Sequence, residues 1–193
     1  DYNFAKDNMF LNISGSMYEN LTKKTDARYE YILPNVLFGQ TFFTEKFGVI
    51  NFTSSALHNE YGIKKNKTLL TNNIIWKPKS KITKKGYLNS FEGMLRNSNY
   101  KTKGTNEYKD GDTVNELHSV LAFKSSLPMK KNGVNYSKIF SPNYMIRFAP
   151  GHMRNMSSGD LLLNRSNLYA LNKTSEIEDG LSAVLGFDFK VKD

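Results

Sequence analysis

From Met9 to Glu19 apolar and polar side chains alternate, with Met9, Leu11, Ile13, Gly15 and Met17 at one parity and Asn12, Ser14, Ser16 and Tyr18 at the other. A period of two is the signature of a strand with one oily and one polar side. The same period returns over 181–191, where Leu181, Ala183, Leu185, Phe187, Phe189 and Val191 share a parity and Ser182, Gly186, Asp188 and Lys190 fall mainly behind them. Further strands are predicted over 27–43, 49–58, 69–77, 87–97, 116–127, 144–149 and 161–171, although the last alternates poorly. The total is about nine strands. No apolar stripe at helical spacing has useful length, so the fold class is all-β: antiparallel strands joined in up-and-down order by hairpins.

The connections carry turn formers, as in Thr22-Lys23-Lys24-Thr25-Asp26 and Lys109-Asp110-Gly111-Asp112. Those around 97–115 and 128–142 read as long loops without a regular long-short order, which leaves the two ends of the sheet unassigned. One predicted strand contains Pro34, and its apolar parity changes there, from Tyr29, Tyr31 and Leu33 to Val36, Phe38 and Phe42. Either a bulge sits at Pro34 or the proline separates a loop from a shorter strand.

The mean hydropathy of −0.53 is polar, and no stretch approaches the roughly 18 apolar residues of a transmembrane helix. A membrane barrel strand needs only about ten residues with every second one apolar, so a polar average does not exclude it. Tyr18, Tyr29, Tyr31, Phe42, Phe43, Trp76, Tyr87, Tyr144 and Tyr169 fall near predicted strand ends, as an interfacial girdle requires, although soluble sheets also favour aromatic residues. Cysteine is absent, which removes disulfides and thiolate metal sites. The first residues show no secretory signal, so an exported protein with this start is expected to be a fragment.

Lys and Arg number 27 against 18 Asp and Glu, a net charge of +9. Nucleic acid, an anionic membrane or a phosphorylated lipid would all suit that excess. The lysines concentrate in turns such as Ile63-Lys64-Lys65-Asn66-Lys67, Lys77-Pro78-Lys79-Ser80-Lys81 and Lys84-Lys85-Gly86. Aromatic residues follow the strands instead, which is not the mixed stacking platform of a nucleic-acid binder. The three histidines, His58, His118 and His152, are far apart in sequence, and no GxSxG, HExxH or phosphate-cradling glycine loop occurs. No catalytic residue, cofactor or metal site is therefore predicted. The acidic run Glu176-Ile177-Glu178-Asp179-Gly180 lacks calcium-loop spacing and reads as a turn. The triplets Asn12-Ile13-Ser14, Asn51-Phe52-Thr53 and Asn172-Lys173-Thr174 match a glycosylation pattern at the frequency that so many Asn, Ser and Thr produce by chance.

The segment Phe140-Ser141-Pro142-Asn143-Tyr144-Met145-Ile146-Arg147-Phe148-Ala149-Pro150, then Asn167-Leu168-Tyr169-Ala170-Leu171-Asn172, Glu178-Asp179-Gly180 and Leu185-Gly186-Phe187-Asp188-Phe189, resembles the C-terminal barrel region of the LptD family, also called the organic solvent tolerance proteins. The shared pattern is a strand bounded by Pro142 and Pro150, a second strand ending at Asn172, an acidic turn with Glu178 and Gly180, and a last strand with Gly186 near its middle. Lys173 replaces the usual arginine, and Ser175-Glu176-Ile177-Glu178 replaces a Gly-x-Asp-Arg element. Arg28-Tyr29-Glu30-Tyr31-Ile32-Leu33-Pro34 and Tyr87-Leu88-Asn89-Ser90-Phe91 look like neighbouring strands of the same barrel.

The resemblance is strongest over 140–191. It implies that 1–193 is a partial C-terminal β-barrel domain, without the family's signal peptide, periplasmic jellyroll or gate strands. It further implies a Gram-negative outer-membrane location, lipopolysaccharide as cargo, the LptE lipoprotein as plug and a periplasmic bridge reached through the jellyroll. Leu11, Ile13, Leu185 and Phe187 would then meet lipid, and Asn12, Ser14, Ser16, Arg147, Asp188 and Lys190 would face the lumen. Two other classes compete: an outer-membrane lipid hydrolase using a serine with one histidine, and a soluble β-sandwich binding module.

Overall fold

The computed structural model describes residues 1–22, 28–62, 64–104, 111–133, 136–151, 164, 167–172 and 179–192. Among the described residues eleven strands form in chain order: β1 (Tyr2–Lys6), β2 (Met9–Glu19), β3 (Tyr29–Thr44), β4 (Gly48–Tyr61), β5 (Asn66–Lys77), β6 (Lys81–Ile82), β7 (Leu88–Lys103), β8 (Val114–Ser126), β9 (Met129–Asn132), β10 (Ser137–Ala149) and β11 (Gly180–Lys192). They make one sheet in the order β1-β2-β3-β4-β5-β7-β8-β10-β11, with β6 beside β7 and β9 beside β10. Each long strand thus neighbours the next long strand, as expected for hairpins. β1 and β11 end this order without pairing, so the sheet is open. No helix among the described residues is long and apolar enough to cross a membrane.

The short strand β9 arises from a proline. β8 and β9 pair with β10 in one continuous register, Asn143 opposite Ser126 and Phe140 opposite Met129, so the Leu127-Pro128 step interrupts what is otherwise one strand. This break also explains how β10 keeps Pro142 in its interior. A residue of an antiparallel strand points its N–H and C=O at the same neighbour. The Pro142 carbonyl accepts from the Leu127 amide at 3.1 Å, so the amide hydrogen that proline lacks would have pointed at the break, where little pairing is lost. The predicted "strand bounded by two prolines" is corrected accordingly: β10 begins five residues before Pro142, and only Pro150 lies beyond its end.

At Pro34 the bulge is present. Ser14 pairs with Asn35 and Ser16 with Ile32, so Leu33 and Pro34 together oppose Gly15. The extra residue lets Tyr31 share a face with Met17 while Val36 shares it with Ile13.

Other expectations change. The strand expected over 161–171 is replaced, in its described part, by turns at 167–169. The first residues, read only for a signal, form β1, joined to β2 by Asp7 and Asn8 with Asp7 at φ 50°. The long loops shrink, because β7 extends to Lys103, β9 occupies 129–132 and β10 starts at Ser137. With these boundaries the connections do acquire an order. One alternate set spans 7–8, 45–47, 83–87 and 133–136, and the other spans 20–28, 62–65, 104–113 and 150–179. All of the first set are short, and of the second only 62–65 is. The lysine-rich turns lie where expected, at 62–65, 78–80 and 83–87. Of the predicted girdle, Tyr144 is in mid-strand and Tyr169 in a turn, both displaced by the same boundary shifts.

The chain groups into two compact units. The first holds Asp1–Phe43, Ile50–Ile75 and Leu95–Leu117. Partners across its strands share a face, which puts Phe4, Leu11 and Phe38 together and Asn3, Asn12 and Leu37 together on the reverse. Phe38 stacks on Phe52 at 6.0 Å, which extends the apolar face to β4. On the reverse, Phe10 lies across Gly39, where any side chain would collide with its ring.

The second unit holds Thr44–Val49, Trp76–Met94 and His118–Asp193. One face carries the ring pairs Phe91 with Phe123, Phe123 with Tyr144 and Phe140 with Phe187, at 4.9, 5.8 and 5.5 Å. Although apolar, this face is exposed: Leu185 is 83% accessible and Phe187 68%. Burial lies on the reverse, with Val120, Ala122, Met145, Arg147 and Ala149. Met145→Ala should therefore cost about 2–4 kcal/mol, whereas Ile146→Ala, next along the chain on the exposed face, should cost at most about 1 kcal/mol, as read by denaturant unfolding.

Candidate functional site

The reverse face of the second unit is where polar chemistry and burial coincide. In β10, Ser141, Asn143, Met145, Arg147 and Ala149 point to it by alternation, and in β11 their partners Asp188, Gly186, Val184, Ser182 and Gly180 do the same. Lys190, opposite Ile139, continues the row. Asn143 donates from Nδ2 to Asp188 Oδ2 at 2.7 Å, which holds the carboxylate against the sheet. In the same unit Lys124 meets Glu92 at 2.8 Å, with both side chains mostly covered.

Residues 167–172, which precede β11, pack onto this face. A turn starts them: the Leu168 amide donates to the Asn164 carbonyl at 3.0 Å, and the Ala170 amide to that of Asn167 at 3.0 Å. Arg147, 1% accessible, donates from Nε to the Leu171 carbonyl at 2.7 Å. A guanidinium with its several fixed donors satisfies backbone acceptors that a buried sheet side chain could not otherwise reach. Tyr169 reaches over Gly186, where an added Cβ would sit 2.5 Å from its hydroxyl oxygen. Gly186 is thus the notch that admits the ring, a role the sequence pattern marked by position alone. A cavity of about 370 Å³ remains beside it, lined by Asn143, Leu168, Tyr169, Gly186, Phe187 and Asp188.

The Tyr169 hydroxyl is buried without a hydrogen-bond partner among the described residues. Burial, and secondarily the charge of Asp188, raise its pKa above the ordinary 10.0.

The predicted residues divide between the units. In the first, Asn12, Ser14 and Ser16 occupy the polar face of β2: Asn12 donates to Asn3, and Asn35 donates to Ser14 Oγ at 3.1 Å. Their neighbours there form further pairs, Thr41 with Asn51 and Asn59 with Glu30, both at 2.8 Å. In the second, Arg147, Asp188 and Lys190 share the reverse face of β10 and β11. Pro142 and Pro150 were placed above, Gly180 opens β11 at φ 103°, and Asn172 ends the packed segment rather than a strand. Glu178, with Lys173 and His152, lies outside the described residues. His58 contacts Thr68 Oγ1 through Nδ1 at 2.8 Å and Glu60 through Nε2 at 3.4 Å. Sequence reasoning missed Tyr169 and Leu171 as partners of this face. The poor alternation over 161–171 was the available signal.

No protein-family model matches this chain, and a search of curated proteins finds no match. Its chemistry therefore rests on the geometry above. The face can anchor a chain segment, and it carries a row with an amide, a carboxylate and cations in Asn143, Asp188, Arg147 and Lys190.

Because the folded pKa of Tyr169 is raised, its contribution to packing is fully present below pH 10.0 and is lost as pH rises through the folded value. Limited proteolysis within 167–172 should accelerate at alkaline pH in the wild type, and Tyr169→Phe should remove that acceleration. Arg147→Met should free the same segment at neutral pH and cost about 2 kcal/mol, the scale of a hydrogen bond from a charged group.

Proposed function

We propose that this chain is a section of the wall of an outer-membrane translocon barrel of the LptD type, and that it serves lipopolysaccharide assembly into the outer leaflet. The observation that carries the reading is the division of the second unit's sheet into an exposed apolar face and a reverse of buried and hydrogen-bonded polar groups. A barrel wall in lipid needs that division, because hydrocarbon accepts only the apolar face and a hydrated lumen only the other. Asn12, Ser14, Ser16, Arg147, Asp188 and Lys190 then line the lumen, and Leu11, Ile13, Leu185 and Phe187 meet lipid.

Two further features support it. The short connections 7–8, 45–47, 83–87 and 133–136 alternate with a set containing 20–28, 104–113 and 150–179, which matches short periplasmic turns and longer exterior loops. The open ends at β1 and β11 suit a section completed by other strands, since an unpaired edge is costly in lipid. In this reading the LptE plug occupies the lumen and the periplasmic bridge delivers lipopolysaccharide through a jellyroll. A soluble sandwich would instead bury Leu185 and Phe187, which stand exposed.

In the full-length protein, Ile146→Arg and Leu185→Arg should each reduce the membrane-inserted, heat-modifiable fraction several-fold, following a cost of up to about 2–4 kcal/mol for arginine in the lipid-facing band. Lys190→Gln on the reverse face should leave insertion unchanged. Depleting the protein should leave lipopolysaccharide behind in the inner membrane. A monodisperse monomer in detergent-free buffer would overturn the membrane reading.

A further inference from the structure

At the short-turn end of the second unit, the 45–47 turn packs against the break that follows β5. A Cβ added at Gly48, which holds φ 79°, would lie 2.6 Å from Pro78 Cα. Trp76 ties the same turn down, since its indole N–H donates to the Phe47 carbonyl at 2.7 Å. Its ring covers Gly93 on β7, where an added Cβ would be 3.3 Å from Trp76 Cε3 and 3.9 Å from Leu121 Cδ1. Gly93 shares a parity with Phe91, and Leu121 with Phe123, so Trp76 borders the exposed apolar face that carries this ring pair. Past Trp76 the character changes. Residues 44–49 and 76–92 hold Lys46, Lys77, Lys79, Lys81, Lys84 and Lys85, all exposed, against Glu45 and Glu92. Glu92 is met by Lys124 at 2.8 Å, so the local excess of positive charge is large. Lys81 pairs with Asn89, which puts it on the face of Phe91, and Lys46 Nζ lies 5.5 Å from the centre of the Phe47 ring.

We propose that this rim binds the headgroup of an anionic glycerophospholipid in the periplasmic leaflet: Lys46, Lys79 and Lys81 hold the phosphate, and the acyl chains lie along Trp76, Phe91 and Phe123. The proposal rests on the reading of this face as lipid-facing. Charge complementarity selects an anionic headgroup, because juxtamembrane lysine clusters gain from each charge placed near such a surface. Continuity with the apolar face selects a lipid over a soluble anion, since an indole and two phenyl rings adjoin the lysines and would meet nothing on a free phosphate. Depth is consistent with a glycerophosphate. Asn89, opposite Lys81, is two residues beyond Phe91, or about 7 Å along a strand. With a barrel tilt near 45° that becomes roughly 5 Å along the membrane normal, against a headgroup layer of about 5–7 Å per leaflet. Lys81 therefore stands level with the phosphate when Phe91 stands at the edge of the hydrocarbon. The leaflet follows from the connections, because 45–47 and 83–87 belong to the short set that the barrel reading assigns to the periplasm.

The test uses full-length protein reconstituted into phosphatidylcholine vesicles with and without phosphatidylglycerol. Flotation and protease protection report insertion, and native mass spectrometry reports retained lipid. The wild type should insert and retain phosphatidylglycerol in preference to phosphatidylcholine, less so as salt is raised. K46S/K79S/K81S should insert equally and retain phosphatidylglycerol on the order of tenfold more weakly. K46R/K79R/K81R should retain it as the wild type does. A charge-matched variant at the same end of the sheet, K130S/K190S/K192S, removes lysines that register with Ile139 and Ser137 and so share the reverse face. It should also retain phosphatidylglycerol as the wild type does. With normal insertion, three results would each overturn the rim and leave the barrel reading intact: no preference in the wild type, unchanged retention by K46S/K79S/K81S, or an equal loss in K130S/K190S/K192S. Failure of the wild type to insert overturns both.

Discussion

Everything in this sheet depends on parity. Side chains alternate between two faces, so a slip of one residue in any strand would carry its whole apolar set to the wrong side. The chain crosses one such hazard at Pro34, where the apolar parity switches from odd to even positions. Setting Leu33 and Pro34 together against Gly15 absorbs the extra residue. Tyr31 and Val36 consequently stay on the same face, although their spacing alone would put them on opposite ones. Without that bulge, half of β3 would present rings to the polar side and amides to the apolar side.

Once parity is kept, the two faces follow different energetic rules. The apolar face remains exposed, so its rings pair with one another across strands without being enclosed. The reverse face combines burial with polarity, and several of its polar groups pair across strands: Asn143 with Asp188, Lys124 with Glu92 and Asn59 with Glu30. A buried polar group without a partner costs more than a hydrogen bond returns. That asymmetry explains why the row is rich in side chains that can meet across strands, and why Arg147 is spent on a backbone carbonyl.

The packed segment at 167–172 shows how a sheet face becomes specific. A pleated surface alone would accept many loops. Gly186 admits one ring at one place, and Arg147 fixes the carbonyl two residues after that ring. Together they define the position of the segment, and they leave a tyrosine hydroxyl buried without a hydrogen-bond partner among the described residues.

Local pattern determined much by itself. Period-two alternation located β2 to the residue and the cores of seven other strands, because a strand half-exposed on each side must alternate. The parity switch at Pro34 marked a bulge or a break, the family-like motif marked Gly186 by position, and alternation put Arg147 on the polar side of its strand. Tertiary structure decided where strands end, since pairing with a neighbour carries β7 to Lys103 and β10 back to Ser137, past residues that look like loop. It also chose the bulge at Pro34, placed the missing Pro142 donor at a break in its neighbour, and turned 167–172 from an expected strand into a segment lying on one. Those outcomes depend on hydrogen bonds and contacts between residues distant in sequence, such as Pro142 with Leu127 or Tyr169 with Gly186. Alternation along a single strand carries no information about them.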